Sequence, residues 1–288
     1  MKMNSSNEFL VTKEHKRFVE FCNACYEYEY IGICHGYPGI GKTMSATKYS
    51  RQDEISEIKI IGGSAEDNLH VPSDLADVKT TLFTPTPGKT VTSNFNLLST
   101  NIIRTNRVII SAREKINPIV NPPNCPLFEI RESAEIIHPQ NECCEIIIVD
   151  EAERLTYAGV EMVRDFYDRD QMVKAIIFIG MPGLEKRMSR YPQLYSRVGF
   201  VHEYKAMSKD EMIFILERYW QNLDSKLNLD DFADHEAMTE VIKIVNGNFR
   251  LLNRLFTQIS RIMKLNNLSH ITKEVIEASR ECLLIGTN

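Results

Sequence analysis

Short unbroken runs of apolar residues alternate with longer segments of helical periodicity over the first two thirds of the chain. The runs within "YIGICHG", "KTTLFTP", "EIIIVDE" and "KAIIFIG" have the length and continuity typical of strands buried on both faces. Helical patterns lie between them, at about residues 92 to 115 and 154 to 170, and a helix from an N-cap at Thr12 to about Tyr28 precedes the first run. Strands that alternate with helices favour an α/β fold with a parallel sheet flanked by helices.

Beyond "FVHEY" at residues 200 to 204 the pattern predicts helices only, at about residues 208 to 221, 235 to 245, 248 to 265 and 272 to 283. Ser208 with Glu211 has the spacing of a capping box, and Thr272 is a second helix start. One apolar helical face comprises Leu251, Leu252, Leu255, Ile259 and Ile262. We therefore expect two domains: an α/β domain at residues 1–204 that starts with a helix, and a small C-terminal helical domain at residues 205–288.

The segment "NPIVNPPNCP", residues 117 to 126, contains too many prolines for a helix or a central strand. It predicts an insertion loop over about residues 117–142 of the first domain.

The composition is ordinary for a soluble globular protein, and the net charge limits how the chain could bind nucleic acid. The 288 residues are 43% hydrophobic and 25% charged, with a formal net charge of −5, so any nucleic-acid contact must come from a local basic patch. No apolar run approaches the roughly 18 residues of a membrane helix, and the first residues lack an apolar signal-peptide core. We expect a cytoplasmic protein with no membrane partner.

Seven cysteines are scattered through predicted core segments, as in reduced intracellular proteins. Cys22-x-x-Cys25, with Cys143 and Cys144 as distant partners, leaves a zinc site open as the weaker alternative. The helical pattern of Phe18, Cys22 and Cys25 already explains the pair as a buried face, and no second C-x-x-C or H-x-x-x-H follows.

The stretch "GYPGIGKT" fits the phosphate-binding pattern G-x-x-x-x-G-K-[ST], and it lies between a predicted strand and a predicted helix as that motif requires. Its glycines let backbone N–H groups surround a phosphate, Lys42 can reach the β- and γ-phosphates of ATP, and the Thr43 hydroxyl can ligate Mg²⁺. The predicted nucleotide-binding residues are Gly36, Tyr37, Pro38, Gly39, Ile40, Gly41, Lys42, Thr43 and Met44.

Asp150 and Glu151 follow the apolar run "IIIV" directly. An acid at the carboxyl end of a central strand is placed to hold Mg²⁺ beside a phosphate loop, a role we assign to Asp150. Glu151 is the candidate catalytic carboxylate that polarises the attacking water. A pair of solvated acids at a strand end is the alternative interpretation.

Four stretches together resemble the AAA+ P-loop ATPases: "GYPGIGKT", "IIIVDEAERL", "IIFIGMPGLEKRMSRYPQLYSRVGF" and "GNFRLLNRL". Within that superfamily they are most similar to the DNA-transposition ATPases of the MuB, TniB and TnsC type, over about residues 12 to 285. The resemblance implies that the helical domain is a lid. It also implies a homo-oligomer, a ring or a helical filament, with ATP between neighbouring subunits.

The same resemblance assigns two arginines. Arg197, just before the last predicted strand, matches the arginine finger that completes a neighbour's catalytic site, with Arg187 and Arg190 as nearby competitors. Arg250, in "GNFR", matches the second sensor of bound nucleotide. The sequence departs from the family at Gly180 and Met181, where a polar first sensor is usual, and slow hydrolysis would fit that departure.

Candidate DNA-binding residues are Lys89 and Thr90, in a loop that faces DNA in the resembled family, and Arg107. Arg250, Arg254 and Arg261 fall on one helical stripe, for which a solvated face is the competing interpretation.

The function predicted first is an ATPase that assembles on double-stranded DNA without sequence preference and regulates transposition with a transposase or integrase partner. Hydrolysis is expected to be slow and stimulated by assembly or DNA. Two alternatives remain open: a helicase-loading or initiator-like ATPase, and a signalling or defence NTPase that does not bind DNA.

Overall fold

The computed structural model describes residues 9–58, 71–116, 144–169, 173–221 and 231–283. A five-stranded sheet contains β1 (Ile31–His35), β2 (Thr80–Phe83), β3 (Ile146–Val149), β4 (Ala175–Gly180) and β5 (Val198–Glu203), in the order β2-β3-β4-β1-β5. Every pair of neighbours is parallel. The predicted α/β fold, a parallel sheet flanked by helices, is confirmed.

The burial of each strand follows from its place in the sheet. Every residue of β3 and β4 is buried, as the unbroken apolar runs predict for strands covered on both faces. The edge strand β5 alternates between half-buried and exposed residues. His35 at the end of β1 lies opposite Gly180 at the end of β4, and Val149 of β3 lies opposite Phe178. The carboxyl ends of three neighbouring strands thus share one edge of the sheet.

Two helices predicted in the first two thirds of the chain, at residues 12 to 28 and 92 to 115, lie within one residue of their predicted bounds. A third, predicted at residues 154 to 170, starts three residues later than predicted. Thr12 caps the first helix as predicted, because its Oγ1 accepts a hydrogen bond of 3.1 Å from the His15 N–H. The helix predicted from residue 154 begins later, at Tyr157, because Ala152–Arg154 forms a 3₁₀ turn and the Thr156 hydroxyl accepts from the Gly159 N–H. Their bounds are α1 (Lys13–Glu27), α2 (Lys42–Ser50), α3 (Gln52–Glu57), α4 (Val91–Ile116), α5 (Tyr157–Arg169), α6 (Leu184–Met188) and α7 (Pro192–Tyr195).

The last part of the chain is helical, as predicted, with α8 (Lys209–Gln221), α9 (Phe232–Val245), α10 (Phe249–Asn266) and α11 (Lys273–Glu281). Ser208 and Glu211 form the predicted capping box: the Ser208 N–H donates to Glu211 Oε2 at 3.1 Å, and the Glu211 N–H donates to Ser208 Oγ at 3.3 Å. Trp220 and Phe256 are buried at the centre of the core of these helices. The helix α9 starts three residues before the predicted position because Asp231 caps it by accepting from the Ala233 N–H.

The chain divides into two compact units. One contains residues 18–35 and 43–203, with the sheet; the other contains the described residues up to 17, the segment Gly36–Lys42 and the helices from Tyr204 onward. The predicted domain boundary at residue 204 stays a prediction. The predicted insertion loop, residues 117–142, lies outside the described residues. None of the described helices combines the length and the apolar character needed to cross a membrane.

Candidate nucleotide-binding site

The glycine-rich segment between β1 and α2 is a loop that folds around the side chain of Lys42. Gly39 has φ +81° and Gly41 has φ +113°, left-handed conformations that glycine adopts without steric cost. Lys42 is only 8% exposed, and its Nζ donates to the carbonyl oxygens of Gly36 at 2.6 Å and Tyr37 at 2.7 Å. The ammonium group is thereby held within the loop that the motif assigns to phosphate.

The other side of this loop contacts the start of α10. Asn248 Nδ2 donates to the Pro38 carbonyl at 3.1 Å, and the Arg250 N–H donates to the Gly39 carbonyl at 3.2 Å. A Cβ at Gly39 would overlap Asn248 Oδ1 and would lie 3.0 Å from Arg250 Cβ. The sequence predicted Arg250 near the nucleotide but did not point out Asn248. The position of Asn248 before a predicted helix start, in "GNFR", could have identified it as an N-cap.

In the sheet unit, the structure brings Thr43 and Asp150 together, although 107 residues separate them in the chain. The Thr43 hydroxyl donates to Asp150 Oδ2 at 2.7 Å, and Asp150 Oδ1 accepts from the Glu151 N–H at 2.9 Å. Asp150 is 3% exposed. A hydroxyl and a carboxylate oxygen are the hard oxygen ligands that Mg²⁺ prefers, so this pair fits the magnesium site predicted for it.

Glu151 directly follows Asp150 and has an unusual backbone. Its φ of 51° and ψ of 45° are left-handed, a conformation that costs a residue with a Cβ about 1 kcal/mol. Its carboxylate contacts the guanidinium group of Arg154, which also donates to the Pro85 carbonyl at 3.3 Å. Arg154 was missed by sequence reasoning, although its spacing of three residues from Glu151 is the usual signal for an ion pair at a turn of helix.

The end of β4 lacks a polar side chain of its own, but a carboxylate occupies the space beside it. A Cβ at Gly180 would overlap Glu153 Oε2, an oxygen that is buried and has no hydrogen-bond partner within the described ranges. Arg187 holds this segment by donating to the carbonyl oxygens of Glu153 and Leu155. A carboxylate oxygen of Glu153, from the neighbouring turn, therefore lies directly beside Gly180.

The three candidate arginine fingers differ in their surroundings. Arg197 is 35% exposed in its side chain and pairs with Asp168 through Nε at 2.7 Å and Nη2 at 3.2 Å. Arg187 is engaged with backbone carbonyls, as described above. Arg190 is exposed and makes no side-chain hydrogen bond or ion pair with any residue that the structure describes. Arg197 and Arg190 thus remain candidates for contact with a second subunit.

The candidate DNA-binding residues do not form one cluster. Lys89 is exposed beside a turn, and the adjacent Thr90 uses its hydroxyl oxygen to cap α4 by accepting from the Ser93 N–H at 3.1 Å. Arg107 is exposed on α4, 16 residues beyond its start, which is roughly 24 Å along a helix axis. Arg250, Arg254 and Arg261 are all exposed on α10.

Cys22 and Cys25 do not fit a zinc site. Both are fully buried on α1, and burial raises the pKa of the Cys25 thiol to about 12 and that of Cys22 well above its ordinary value. Zinc needs the thiolate form, which such an environment disfavours. No group of three potential ligands exists among the residues that the structure describes, and Cys143 lies outside them.

Comparison with known proteins supports the nucleotide site. A family model described as an AAA domain matches residues 25–188. A protein of Staphylococcus aureus described as "Potential ATP-binding protein" is 42% identical over 284 residues, which are 99% of this chain and 99% of that protein.

Solved structures share the fold at low sequence identity. The Thermotoga maritima RuvB Holliday junction branch migration motor aligns with a TM-score of 0.52 and 16% identity, over 97% of this chain and 72% of that chain. The ADP form of the Aeropyrum pernix ORC2 protein aligns with a TM-score of 0.55 and 15% identity, over 96% of this chain and 70% of that chain. These likenesses establish the architecture alone.

Proposed function

This chain belongs to the AAA domain family, and we propose that it is an ATPase that assembles on duplex DNA when it binds ATP and leaves the DNA after hydrolysis. The sequence resemblance to transposition ATPases supports a role in regulating transposition through a transposase or integrase. In this proposal the energy of ATP changes the state of assembly and is not used to make a chemical product.

The observation that carries the ATPase proposal is the hydrogen bond between Thr43 and Asp150. It joins the last residue of the phosphate motif to the acid at the end of β3, at 2.7 Å. Thr43 directly follows Lys42 in the phosphate motif, and in this proposal one nucleotide uses both residues. When bound, Mg²⁺ held by Thr43 and Asp150 would neutralise phosphate charge.

Each of the remaining site residues has its own role in the proposed hydrolysis of ATP. Lys42 exchanges the carbonyls of Gly36 and Tyr37 for phosphate oxygens and neutralises charge as it develops in the transition state. Glu151 orients the attacking water and accepts its proton. Arg250, at the start of α10, senses the nucleotide from the helical lid, and Arg197 completes the site of a neighbouring subunit.

The DNA part of the proposal rests on exposed cations and on the nature of the similar proteins. Lys89 lies two residues before α4 and Arg107 lies 16 residues beyond its start, and both are exposed, so we assign them to different phosphates of one duplex. The similar RuvB structure is named as a motor that acts on Holliday junctions. Because the chain carries a net charge of −5, a lone subunit should bind DNA weakly, and ATP-driven assembly should multiply a small basic patch.

The ATPase proposal is tested by Lys42→Ala. Removal of the ammonium group should lower ATP affinity by roughly 100-fold, since it deletes a charge-assisted contact to the phosphates. Anisotropy of a fluorescent ATP analogue measures the change, with Lys48→Ala, an exposed lysine later on α2, as the matched control. Wild-type affinity in a folded Lys42→Ala protein would reject the phosphate-loop assignment.

The DNA proposal is tested by titrating labelled duplexes of unrelated sequence with protein in ATP, ADP and no nucleotide, at two salt concentrations. Binding should require ATP, show little sequence preference and weaken sharply with salt, because phosphate contacts release counterions. Lys89→Glu and Arg107→Glu should weaken binding to all duplexes alike, whereas Lys16→Glu, an equal charge change at an exposed position of α1, should not.

Equal DNA binding in all three nucleotide states would contradict the switch. No binding at low salt with ATP would favour the signalling NTPase over any DNA-dependent role. DNA binding without any effect on a transposase would favour a helicase-loading or initiator-like role.

A further inference from the structure

The side chain of Asn248 makes two hydrogen bonds with different parts of its own structural unit. Its Oδ1 accepts from the Leu251 N–H at 3.1 Å, which caps α10, and its Nδ2 donates to the Pro38 carbonyl of the phosphate loop at 3.1 Å. Among the residues that cap helices well, only asparagine carries both an acceptor oxygen and an amide donor on one short side chain. The second bond therefore uses a group that capping alone does not need.

The phosphate loop in turn satisfies the first turn of α10. The N–H groups of this turn have no partner inside the helix. The Arg250 N–H donates to the Gly39 carbonyl at 3.2 Å. Two consecutive loop carbonyls, those of Pro38 and Gly39, are thus both bound by the start of α10.

These two bonds fix the direction of the loop amides. The peptide bonds are all trans in the described chain, and in a trans peptide the carbonyl and the following N–H point in opposite directions. With the carbonyls of Pro38 and Gly39 directed at α10, the N–H groups of Gly39 and Ile40 are directed away from it. Successive N–H groups that point to one side of a loop form an anion-binding concavity.

The glycine at position 39 lies where the phosphate loop contacts Asn248. The phosphate motif fixes glycine at positions 36 and 41, whereas position 39 is variable in the pattern. Here Gly39 has φ +81°, and a Cβ would overlap Asn248 Oδ1. The left-handed backbone and the close approach of α10 together favour a residue without a side chain at this position.

We propose that Asn248 is a positioning residue for phosphate binding: by capping α10 and holding the Pro38 carbonyl at the same time, it directs the amides of the phosphate loop toward the nucleotide. The inference rests on the proposed nucleotide-binding function of this loop. It adds a coupling, because the order of the first turn of α10 and the shape of the loop depend on one side chain.

Asn248→Ser tests the proposal, because serine caps a helix about as well as asparagine but has no amide nitrogen for the Pro38 carbonyl. ATP and ADP affinities should both fall, by roughly threefold to tenfold, which corresponds to one lost hydrogen bond. The thermal midpoint should fall less than in Asn248→Ala, because serine keeps the cap of α10. Hydrogen exchange of the peptide that contains Gly39 and Ile40 should become faster in the nucleotide-free protein.

Two further variants separate the outcomes. Asn248→Ala removes the cap as well and should lower both the thermal midpoint and the nucleotide affinity. Asn253→Ser makes the same side-chain change at an exposed position of α10, where Asn253 contacts Tyr219, and should leave affinity unchanged. Both variants are measured with fluorescent ATP and ADP analogues.

Wild-type nucleotide affinity in Asn248→Ser overturns the proposal, as does a loss of affinity that is accompanied by the full drop in thermal midpoint of Asn248→Ala. A loss for ATP but not ADP also overturns it, since the loop amides would then not be the affected groups. If Lys42→Ala abolishes binding while Asn248→Ser does not change it, only this inference fails. If Lys42→Ala binds ATP normally, the proposed nucleotide site itself fails.

Discussion

At the scale of single residues, the sequence predicts the types of groups in the candidate site but not their backbone conformations or their contacts. Lys42, Thr43, Asp150 and Glu151 were identified from two short motifs, because phosphate and magnesium chemistry demand an ammonium group, a hydroxyl and carboxylates. The left-handed backbone of Glu151 and its contact with Arg154 emerge only from the fold. Such a strained conformation persists where the surrounding structure holds it, here at a residue with a proposed catalytic role.

Glu151→Gln should preserve ATP binding and reduce turnover by roughly 100-fold or more, because the amide cannot accept a proton from water. The amide oxygen can still accept a hydrogen bond from Arg154, so the local fold should persist. Phosphate release under saturating ATP measures turnover, and Glu240→Gln on α9, which removes a carboxylate paired with Lys243, is the matched control. Turnover at the wild-type rate would move the role of base to another residue.

At the scale of secondary structure, a polar cluster joins α1 to the start of the sheet. The Tyr26 hydroxyl donates to Glu145 Oε2 at 2.7 Å, and the ammonium groups of Lys79 and Lys174 lie 3.5 Å and 3.4 Å from that carboxylate. Burial by itself would raise the pKa of Glu145, but the Tyr26 hydrogen bond and the two lysines outweigh it and lower the pKa below its ordinary value. The residues come from α1 and from the segments before β2, β3 and β4.

Glu145→Gln should lower the free energy of unfolding at pH 7 by about 1.5–3 kcal/mol, the usual worth of hydrogen bonds to a charged group. Because the folded pKa is below the unfolded one, this stabilisation is present above about pH 4.3 and is lost as pH falls through the folded value. Urea unfolding at pH 7 and at stepwise lower pH tests this. The difference in free energy of unfolding between wild type and Glu145→Gln should become smaller as the pH falls. Glu281→Gln, an exposed control, should unfold with the wild-type free energy at every pH. If this difference stayed the same at every pH, the charge of Glu145 would not be what stabilises the fold.

At the scale of the whole molecule, the proposal requires contact between copies of the chain. Arg197 is held by Asp168 in its own subunit, but an ion pair at this degree of exposure is worth only about 0.2–1 kcal/mol, so a phosphate of a neighbour can displace it. Arg190 needs no such exchange, since it has no side-chain partner within the described ranges. The resemblance favours Arg197, and the structure leaves Arg190 as a competitor.

Mixing two inactive variants should identify the finger. Arg197→Ala subunits keep an intact phosphate loop, and Lys42→Ala subunits keep an intact arginine, so mixed assemblies contain some complete interfaces. Steady-state ATPase assays of the mixture should therefore show partial recovery, up to roughly a quarter of wild-type activity for random assembly. The same mixture with Arg190→Ala is the comparison. If the Arg197→Ala mixture stays inactive while the two variants co-assemble, Arg197 is not the finger, and recovery with Arg190→Ala would transfer the role.

The sequence by itself determined the fold class and predicted the chemistry of the phosphate loop. Unbroken apolar runs such as "IIIV" and "AIIFIG" specify buried parallel strands, and the glycines, Lys42 and Thr43 predict phosphate contacts, because both signals are local in the chain. Capping residues such as Thr12 and Ser208 likewise act within one helical turn, so the starts of α1 and α8 were predictable.

Only the tertiary structure decided which distant groups meet. The pairing of Thr43 with Asp150, the carboxylate of Glu153 beside Gly180 and the contact of Asn248 with Pro38 each join residues that are near in space and not in sequence. Such contacts depend on the order of strands in the sheet and on the packing of whole elements, which no single stretch of residues specifies. The sequence therefore defines which kinds of groups are candidates for nucleotide binding, while the fold decides how their donors and carboxylates are directed.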